Sequence, residues 1–140
     1  MVFLKALFNE LPHFVEHSLK LHICLPKDKR LEKVIEYLHH YYNTEIKIES
    51  LGELALLSSR SLERIFKKET GLTLSKYQQM LRIIKSLELL SSGNLTISET
   101  AYTVGYKSVQ AFTRSFQAVM QFRPTDFMKN INLNIVKGIY

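Results

Sequence analysis

A single cysteine, Cys24, is all the thiol chemistry that this 140-residue chain carries. One thiol excludes a disulfide framework and any zinc module built from several cysteines, and it fits a reducing compartment. Long apolar runs are missing too, since none reaches the roughly 18 residues that a membrane-spanning helix needs. The first residues are apolar from Met1 to Leu4, but Lys5 and Glu10 break the run and no small-residue cleavage site follows. No signal peptide is read, and a cytoplasmic protein without a membrane partner is expected. Signatures of catalysis are equally scarce: there is no glycine-rich phosphate loop and no nucleophile elbow, and Cys24 lies in no activating motif. Neither an enzyme nor a bound cofactor or metal is expected.

What is present is enough apolar material for a core, 46% of the residues. The mean hydropathy of −0.06 rules out wholesale disorder. The length suits one domain or two very small ones. Lys and Arg number 19 against 13 Asp and Glu, a net charge of +6. That charge is uneven. Residues 1–55 hold seven Lys/Arg and eight Asp/Glu, a balance of −1, and residues 56–140 hold twelve and five, a balance of +7. A positive excess confined to one part of a chain suggests a polyanionic partner, although a basic pI alone is weak support.

Apolar residues recur at helical spacing nearly everywhere. Leu4, Leu7, Phe8, Leu11 and Val15 outline a first amphipathic segment, interrupted at Pro12. Pro26-Lys27-Asp28 opens a helix with Leu31, Val34, Ile35, Leu38 and Tyr42 on one face, ended by Asn43-Thr44. A short helix is predicted over Ile48–Leu57 with Leu51, Leu54 and Ala55 inward. Ser58 then caps a helix whose stripe is Leu62, Ile65 and Phe66, and Gly71 stops it. A longer helix over Leu74–Leu90 turns Tyr77, Leu81, Ile84 and Leu87 inward and ends at Ser91-Ser92-Gly93-Asn94. Thr96-Ile97-Ser98-Glu99 is a capping box that starts a brief helix, ended by Gly105. Ser108 caps another helix, with Val109, Phe112, Phe116 and Val119 inside, and Pro124 starts a last turn or two through Phe127 and Met128. No strand-like alternation of useful length competes.

The chain repeats itself. The stretch Ser58 to Lys67 superposes without a gap on Ser108 to Gln117. Each copy has a Ser cap, an apolar residue four positions on, an Arg six on and a Phe eight on, and each follows a short helix and a tight turn. Short helix, turn and longer helix, twice over, make two helix-turn-helix units. With the apolar stripes buried, the second helices turn Arg60, Ser61, Glu63, Arg64, Lys67 and Lys68, and then Gln110, Ala111, Thr113, Arg114 and Gln117, toward solvent. Arg offers a fork to guanine, Gln a donor–acceptor pair to adenine, Glu an acceptor for the cytosine amine, and Ala a surface for the thymine methyl. Arg60, Glu63, Arg64, Gln110, Ala111 and Arg114 are therefore the candidate base contacts. Ser59, Ser61, Lys67, Lys68, Lys107, Ser108, Thr113 and Gln117 suit phosphates, which fix register without reading sequence. A solvated polar face would explain any one of these residues, but the duplicated pattern favours DNA.

From about Leu25 to Met128 the sequence resembles the DNA-binding domain of AraC/XylS-type bacterial transcription regulators. The first unit matches through Leu51, Ser58, Leu62, Arg64, Phe66 and Gly71, and the joining helix through Tyr77, Arg82, Leu89 and Leu90. The second unit matches through Ala101-Tyr102-Thr103-Val104-Gly105-Tyr106, Ser108, Ala111-Phe112, Arg114, Phe116 and Pro124. The resemblance implies an all-α domain of two three-helix helix-turn-helix subdomains, residues 25–73 and 92–130, joined by a linker helix over 74–91. It implies recognition helices at about Ser59–Lys68 and Ser108–Met120 in successive major grooves, about 34 Å apart. A bent, asymmetric site of about 20 base pairs follows from that geometry. It also implies double-stranded DNA and RNA polymerase as partners and an activating role. The chain departs from the family pattern at Gly52 (usually Ala), Thr100 (Ile), Gln110 (Ser), Gln121 (Gly) and Met128 (often Arg).

Residues 1–24 form an apolar leader, read as the remnant of a sensor or dimerisation region, and residues 131–140 as a tail. His13-Phe14-Val15-Glu16-His17 has the spacing of inverted zinc metalloproteases, and His22 could add a third nitrogen to make a metal-sensing regulator. An adventitious surface pair is the plainer reading of His13 and His17. His39-His40 reads as a solvated helix end. A helical protein-interaction module is the other alternative, since amphipathic helices with basic faces also bind acidic partners. Glu45, Glu49 and Glu53 lie four apart on one helical face and could touch polymerase, though solvation alone explains such a stripe.

Overall fold

The computed structural model describes residues 26–138. The expectations for residues 1–24, including His13, His17 and His22, lie outside the described residues. Seven helices and no strand occur among the described residues: α1 (Arg30–His40), α2 (Ile48–Ala55), α3 (Ser59–Thr70), α4 (Leu74–Ser91), α5 (Ile97–Thr103), α6 (Val109–Met120) and α7 (Pro124–Gly138). The all-α expectation holds. Two compact units divide after Arg82, inside α4. The helix expected to join two subdomains is thus shared out, its first half to one core and its second half to the other.

In the first unit α1 buries Leu31, Val34 and Leu38. No side chain caps α1 at its own N-cap, Lys29. The carboxylate of Glu69, near the end of α3, instead accepts from the amides of Lys27 at 2.6 Å and Asp28 at 3.3 Å. Asp28 in turn accepts from Arg30, whose side-chain and backbone hydrogen bonds hold its carboxyl below the usual range. Beyond the other end of α1, the loop carbonyls of Tyr42 and Thr44 are gripped from α4. Gln78 donates to them at 3.0 and 2.8 Å, and Arg82 at 2.8 and 3.0 Å. Arg82 therefore ties a loop to a helix.

Expected and observed details differ in this unit. His39 is no solvated helix end. Its Nε2 lies 2.9 Å from the Tyr77 hydroxyl, and the two share a hydrogen bond. Tyr77 is fully buried, and burial pushes the pKa of its phenol upward. Helix α1 ends at His40, so Tyr42 belongs to the following loop. Helix α2 ends two residues before Leu57, and Leu54 points outward at 38% exposure. The buried arc of α2 runs through Leu51, Gly52 and Ala55. With Gly52 inside, the arc swings away from the side on which Leu54 stands.

Gly52 is inside because the backbone needs its space. A Cβ there would lie 2.6 Å from the carbonyl oxygen of Leu57. The chain turns at Leu56, left-handed with φ 54°, and the Leu57 amide returns to the Gly52 carbonyl at 2.9 Å. That closure is the Schellman arrangement, which normally takes glycine at the left-handed position. Leu56 carries the strain instead, with its side chain 89% exposed. The core closes on Leu62 and Phe66 of α3 and Tyr77 and Leu81 of α4. Phe66 meets Tyr77 edge to face, 5.4 Å between centroids.

In the second unit the later half of α4 buries Ile83, Ile84, Leu87 and Leu90. Thr96 and Glu99 form the expected capping box, Oγ1 accepting at 3.1 Å and the carboxylate at 2.8 Å. The hydrogen bond from the Thr96 amide holds the Glu99 carboxyl below its usual value. Helix α5 buries Thr100 and Ala101, and the Thr100 hydroxyl is buried without a hydrogen-bond partner among the described residues. The Tyr106 amide returns to the Ala101 carbonyl at 3.0 Å, around Gly105 at φ 101°. Helix α6 contributes Phe112, Phe116 and Met120, and α7 contributes Phe127. Helix α7 has 15 residues and runs to Gly138, past the expected turn or two and through most of the expected tail. Pro124 pre-sets its first φ, Asp126 accepts from the Arg123 amide at 3.2 Å, and nothing from Lys129 to Lys137 breaks a helix.

The α2–α3 turn and the buried hydroxyl make three substitutions informative about stability. Gly52→Ala should lower stability by about 1–3 kcal/mol, because the new methyl meets rigid backbone, whereas Leu56→Gly should raise it by about 0.5–1 kcal/mol. Thr100→Val, which swaps the unpaired hydroxyl for a methyl, should raise stability by about 1 kcal/mol. Urea unfolding followed by circular dichroism measures all three. A neutral Gly52→Ala would show that the α2–α3 turn has slack.

Candidate nucleic-acid interface

Helices α3 and α6 are built alike. Each has 12 residues, a serine N-cap and a left-handed C-cap. Ser58 Oγ accepts from the Ser61 amide at 3.2 Å, and Ser108 Oγ accepts from the Ala111 amide at 3.1 Å. Gly71 takes the stop at φ 79° and Gln121 takes it at φ 66°. Gln121 adopts the left-handed conformation in place of the usual glycine, which costs an L residue about 1–2 kcal/mol.

The repeat reaches further than its sequence signal. Phe66 and Tyr77 are eleven residues apart, as are Phe116 and Phe127, and both pairs are in ring contact, at 5.4 and 6.3 Å. The start of α4 is thus the counterpart of the start of α7, a correspondence already present in the matching Phe-to-aromatic spacing. Before the serine caps the register shifts by one. Leu56 corresponds to Gly105 and Leu57 to Tyr106, as their matching return hydrogen bonds show. Two residues, Leu57 and Ser58, lead from the left-handed position into α3. Three residues, Tyr106, Lys107 and Ser108, lead into α6. Lys107 is the added one, and the place that Gly52 holds in α2 is taken by Ala101 in α5.

Burying Leu62, Phe66 and Thr70 on α3, and Phe112, Phe116 and Met120 on α6, fixes what faces out. Arg60, Glu63, Arg64, Lys67 and Lys68 are exposed on α3. Gln110, Arg114 and Gln117 are exposed on α6, and Lys107 on the turn before it. Ser59, Ser61, Ser108, Ala111 and Thr113 are half-buried at the flanks. Ser61 and Ser108 use their oxygens as acceptors within the caps, Ser61 from the Ser58 hydroxyl at 3.0 Å, which leaves their own O–H groups to donate outward. Val109, Gln110, Thr113, Arg114 and Gln117 line one shallow, open depression.

Among the described residues no ion pair engages the cations on these faces. Among the described residues the ion pairs are Arg30–Asp28, Lys85–Glu88 and Arg123–Asp126. None involves Arg60, Arg64, Lys67, Lys68, Lys107 or Arg114. Structural arginines look different here, as Arg82 shows with its grip on two carbonyls. A row of unpaired guanidinium and ammonium groups on a capped helix has the donors that phosphates and guanine edges take. Among the described residues no group of three or more His, Cys, Asp or Glu is placed to hold a metal ion, and no helix is long and apolar enough to cross a membrane.

Known proteins share this arrangement. The family model described as "Helix-turn-helix domain" matches residues 51–130. The HTH-type transcriptional activator RhaS of Citrobacter koseri is 29% identical over 122 residues, 87% of this chain and 44% of the relative. This chain thus spans less than half the length of such curated relatives. The C-terminal domain of AraT, a response regulator from Geobacillus stearothermophilus, superposes with a TM-score of 0.68 at 26% identity, covering 74% of this chain and 86% of that one. The DNA-binding domain of AdpA, a global transcriptional factor solved in complex with a target DNA, superposes with a TM-score of 0.70 at 20% identity, covering 76% and 96%, a likeness of fold. With the family model matching more than half of its length and both helix-turn-helix units in place, the chain belongs to the AraC/XylS family of helix-turn-helix DNA-binding domains.

Proposed function

We propose that this chain is the DNA-binding part of a transcription regulator and presents α3 and α6 to successive major grooves of a duplex. The observation that carries the reading is the pair Arg64 and Arg114. They occupy the same place on two serine-capped helices, both exposed and both without an ion pair among the described residues. Arg60, Glu63, Arg64, Gln110, Ala111 and Arg114 take the base edges. Ser59, Ser61, Lys67, Lys68, Lys107, Ser108, Thr113 and Gln117 take phosphates and sugars. The name of its curated relative supports an activating role, in which RNA polymerase is the protein partner and a sensor or dimerisation region controls the DNA-binding part. The cytoplasm is the compartment that such a role requires.

Selection of bound duplexes from a random pool, followed by titration of the winners, tests the reading. Arg64→Ala and Arg114→Ala should each lose about 1–3 kcal/mol of binding, and only on duplexes carrying the base that the arginine reads. Lys67→Ala should weaken binding to every duplex alike. If both arginine variants cost the same small amount on every sequence, the base-edge assignment fails. If no duplex is enriched at all, a helical protein-interaction module becomes the better reading.

A further inference from the structure

The two recognition helices match in architecture but not in charge. Aligned through their serine caps, the outward positions pair Arg60 with Gln110, Arg64 with Arg114, Lys67 with Gln117 and Lys68 with Ala118, all of them exposed. Four cations on α3 stand against one on α6. The single acid on the outer side of α3, Glu63, leaves a surplus of three. Glu69 is turned away from that side, holding the amides of Lys27 and Asp28. Helix α6 contains no acid, so its outer face carries the single positive charge of Arg114, with Lys107 as an added charge in the turn before it. Arg123, after α6, is paired with Asp126 at 3.7 Å.

We propose that the two units contribute unequally on DNA: α3, whose Lys67 and Lys68 stand beside the base-reading Arg60 and Arg64, supplies most of the sequence-independent grip through phosphates, and α6 discriminates between bases while adding little sequence-independent affinity. This rests on the DNA-binding reading above. The physical ground is that affinity for any duplex comes from released counterions and therefore from the number of cations set against phosphates. Glutamine releases none. What Gln110 offers is an amide that bonds two adjacent groups of an adenine edge, an interaction that counts only when the base is right. Gln110 lies in the first turn of α6, the end of a recognition helix that meets base edges. Lys67 and Lys68 stand in the last turn of α3, where long ammonium side chains reach backbone more readily than base edges.

Binding of the whole chain to a selected duplex and to a scrambled duplex of equal length, each across a potassium chloride series, tests the unequal contribution. Lys67→Ala with Lys68→Ala should flatten the slope of log K against log salt by about 1.8, near 0.9 for each phosphate no longer neutralised, and should weaken both duplexes equally. Gln110→Ala should leave the slope unchanged and reduce the preference for the selected duplex about fivefold or more. The substitutions are on exposed side chains, and a thermal melt of each variant checks its fold. The proposal is overturned if Gln110→Ala leaves the preference intact, or if the double lysine variant weakens only the selected duplex. If the unaltered chain shows no salt-dependent binding to either duplex, the DNA-binding reading itself fails, an outcome distinct from both.

Discussion

Everything on the candidate interface depends on which side of α3 and α6 is hidden. A 12-residue helix that must bury Phe66 or Phe116 against the next helix has no rotational freedom left. Phe66 sits edge to face on Tyr77, and Phe116 lies against Phe127 and Phe122. Aromatic pairs of this kind add about 0.5–1.5 kcal/mol beyond their buried area, and a rotation of one residue along the helix would pull the rings apart. The outward row is thus the complement of the buried one. Arg64 and Arg114 reach solvent at the same angle because a phenylalanine two residues later points the other way in both helices.

The turns enforce the same constraint from the ends. Each recognition helix begins at a serine whose oxygen holds an amide in the first turn, and each ends at a left-handed residue that sends the chain back over the core. The position is strict enough that Gln121 adopts φ 66° after α6, and at the end of the short helix α2 Leu56 adopts φ 54°, where glycine would be unstrained. Gly71 and Gly105 serve the equivalent positions in the other unit. At these two matched turns each unit therefore has one relaxed and one strained left-handed residue. The closure of each helix pair tolerates the wrong residue because the return hydrogen bonds and the packing beneath outweigh the local cost.

Much of this is legible in the residues. Serine caps, the capping box at Thr96 and Glu99, the apolar stripes and the Gly71 stop are local signals with local physical causes, so they can be read without a fold. The repeat of Ser, Arg and Phe places the candidate contacts on helices. Less legible are the features that depend on distant partners. His39 reads as solvated because nothing nearby in sequence points to Tyr77, 38 residues on. Leu54 reads as buried because periodicity alone cannot know that Gly52 takes part in the buried arc. The full length of α7 is hidden because its continuation lacks the strong stripe that marks the other helices. The one-residue register shift at Lys107 is hidden for another reason: it falls in a turn, where spacing carries no periodic signal.

The long-range ties also explain why one chain can hold a charged reading face so firmly. A helix whose outer side carries four like charges repels itself, and within the described residues Arg60, Arg64, Lys67 and Lys68 have no ion pairs to relieve them. The stabilising contacts are placed off that face. Glu69 commits its carboxylate to the amides before α1, and Arg82 and Gln78 commit their donors to the loop after it. An acid such as Glu69 pairing with Lys67 or Lys68 would relieve the repulsion but would have to be displaced before a phosphate could bind. Keeping the acid occupied elsewhere leaves these cations without an ion pair among the described residues, so the helix gives up some stability of its own to keep its outer face charged.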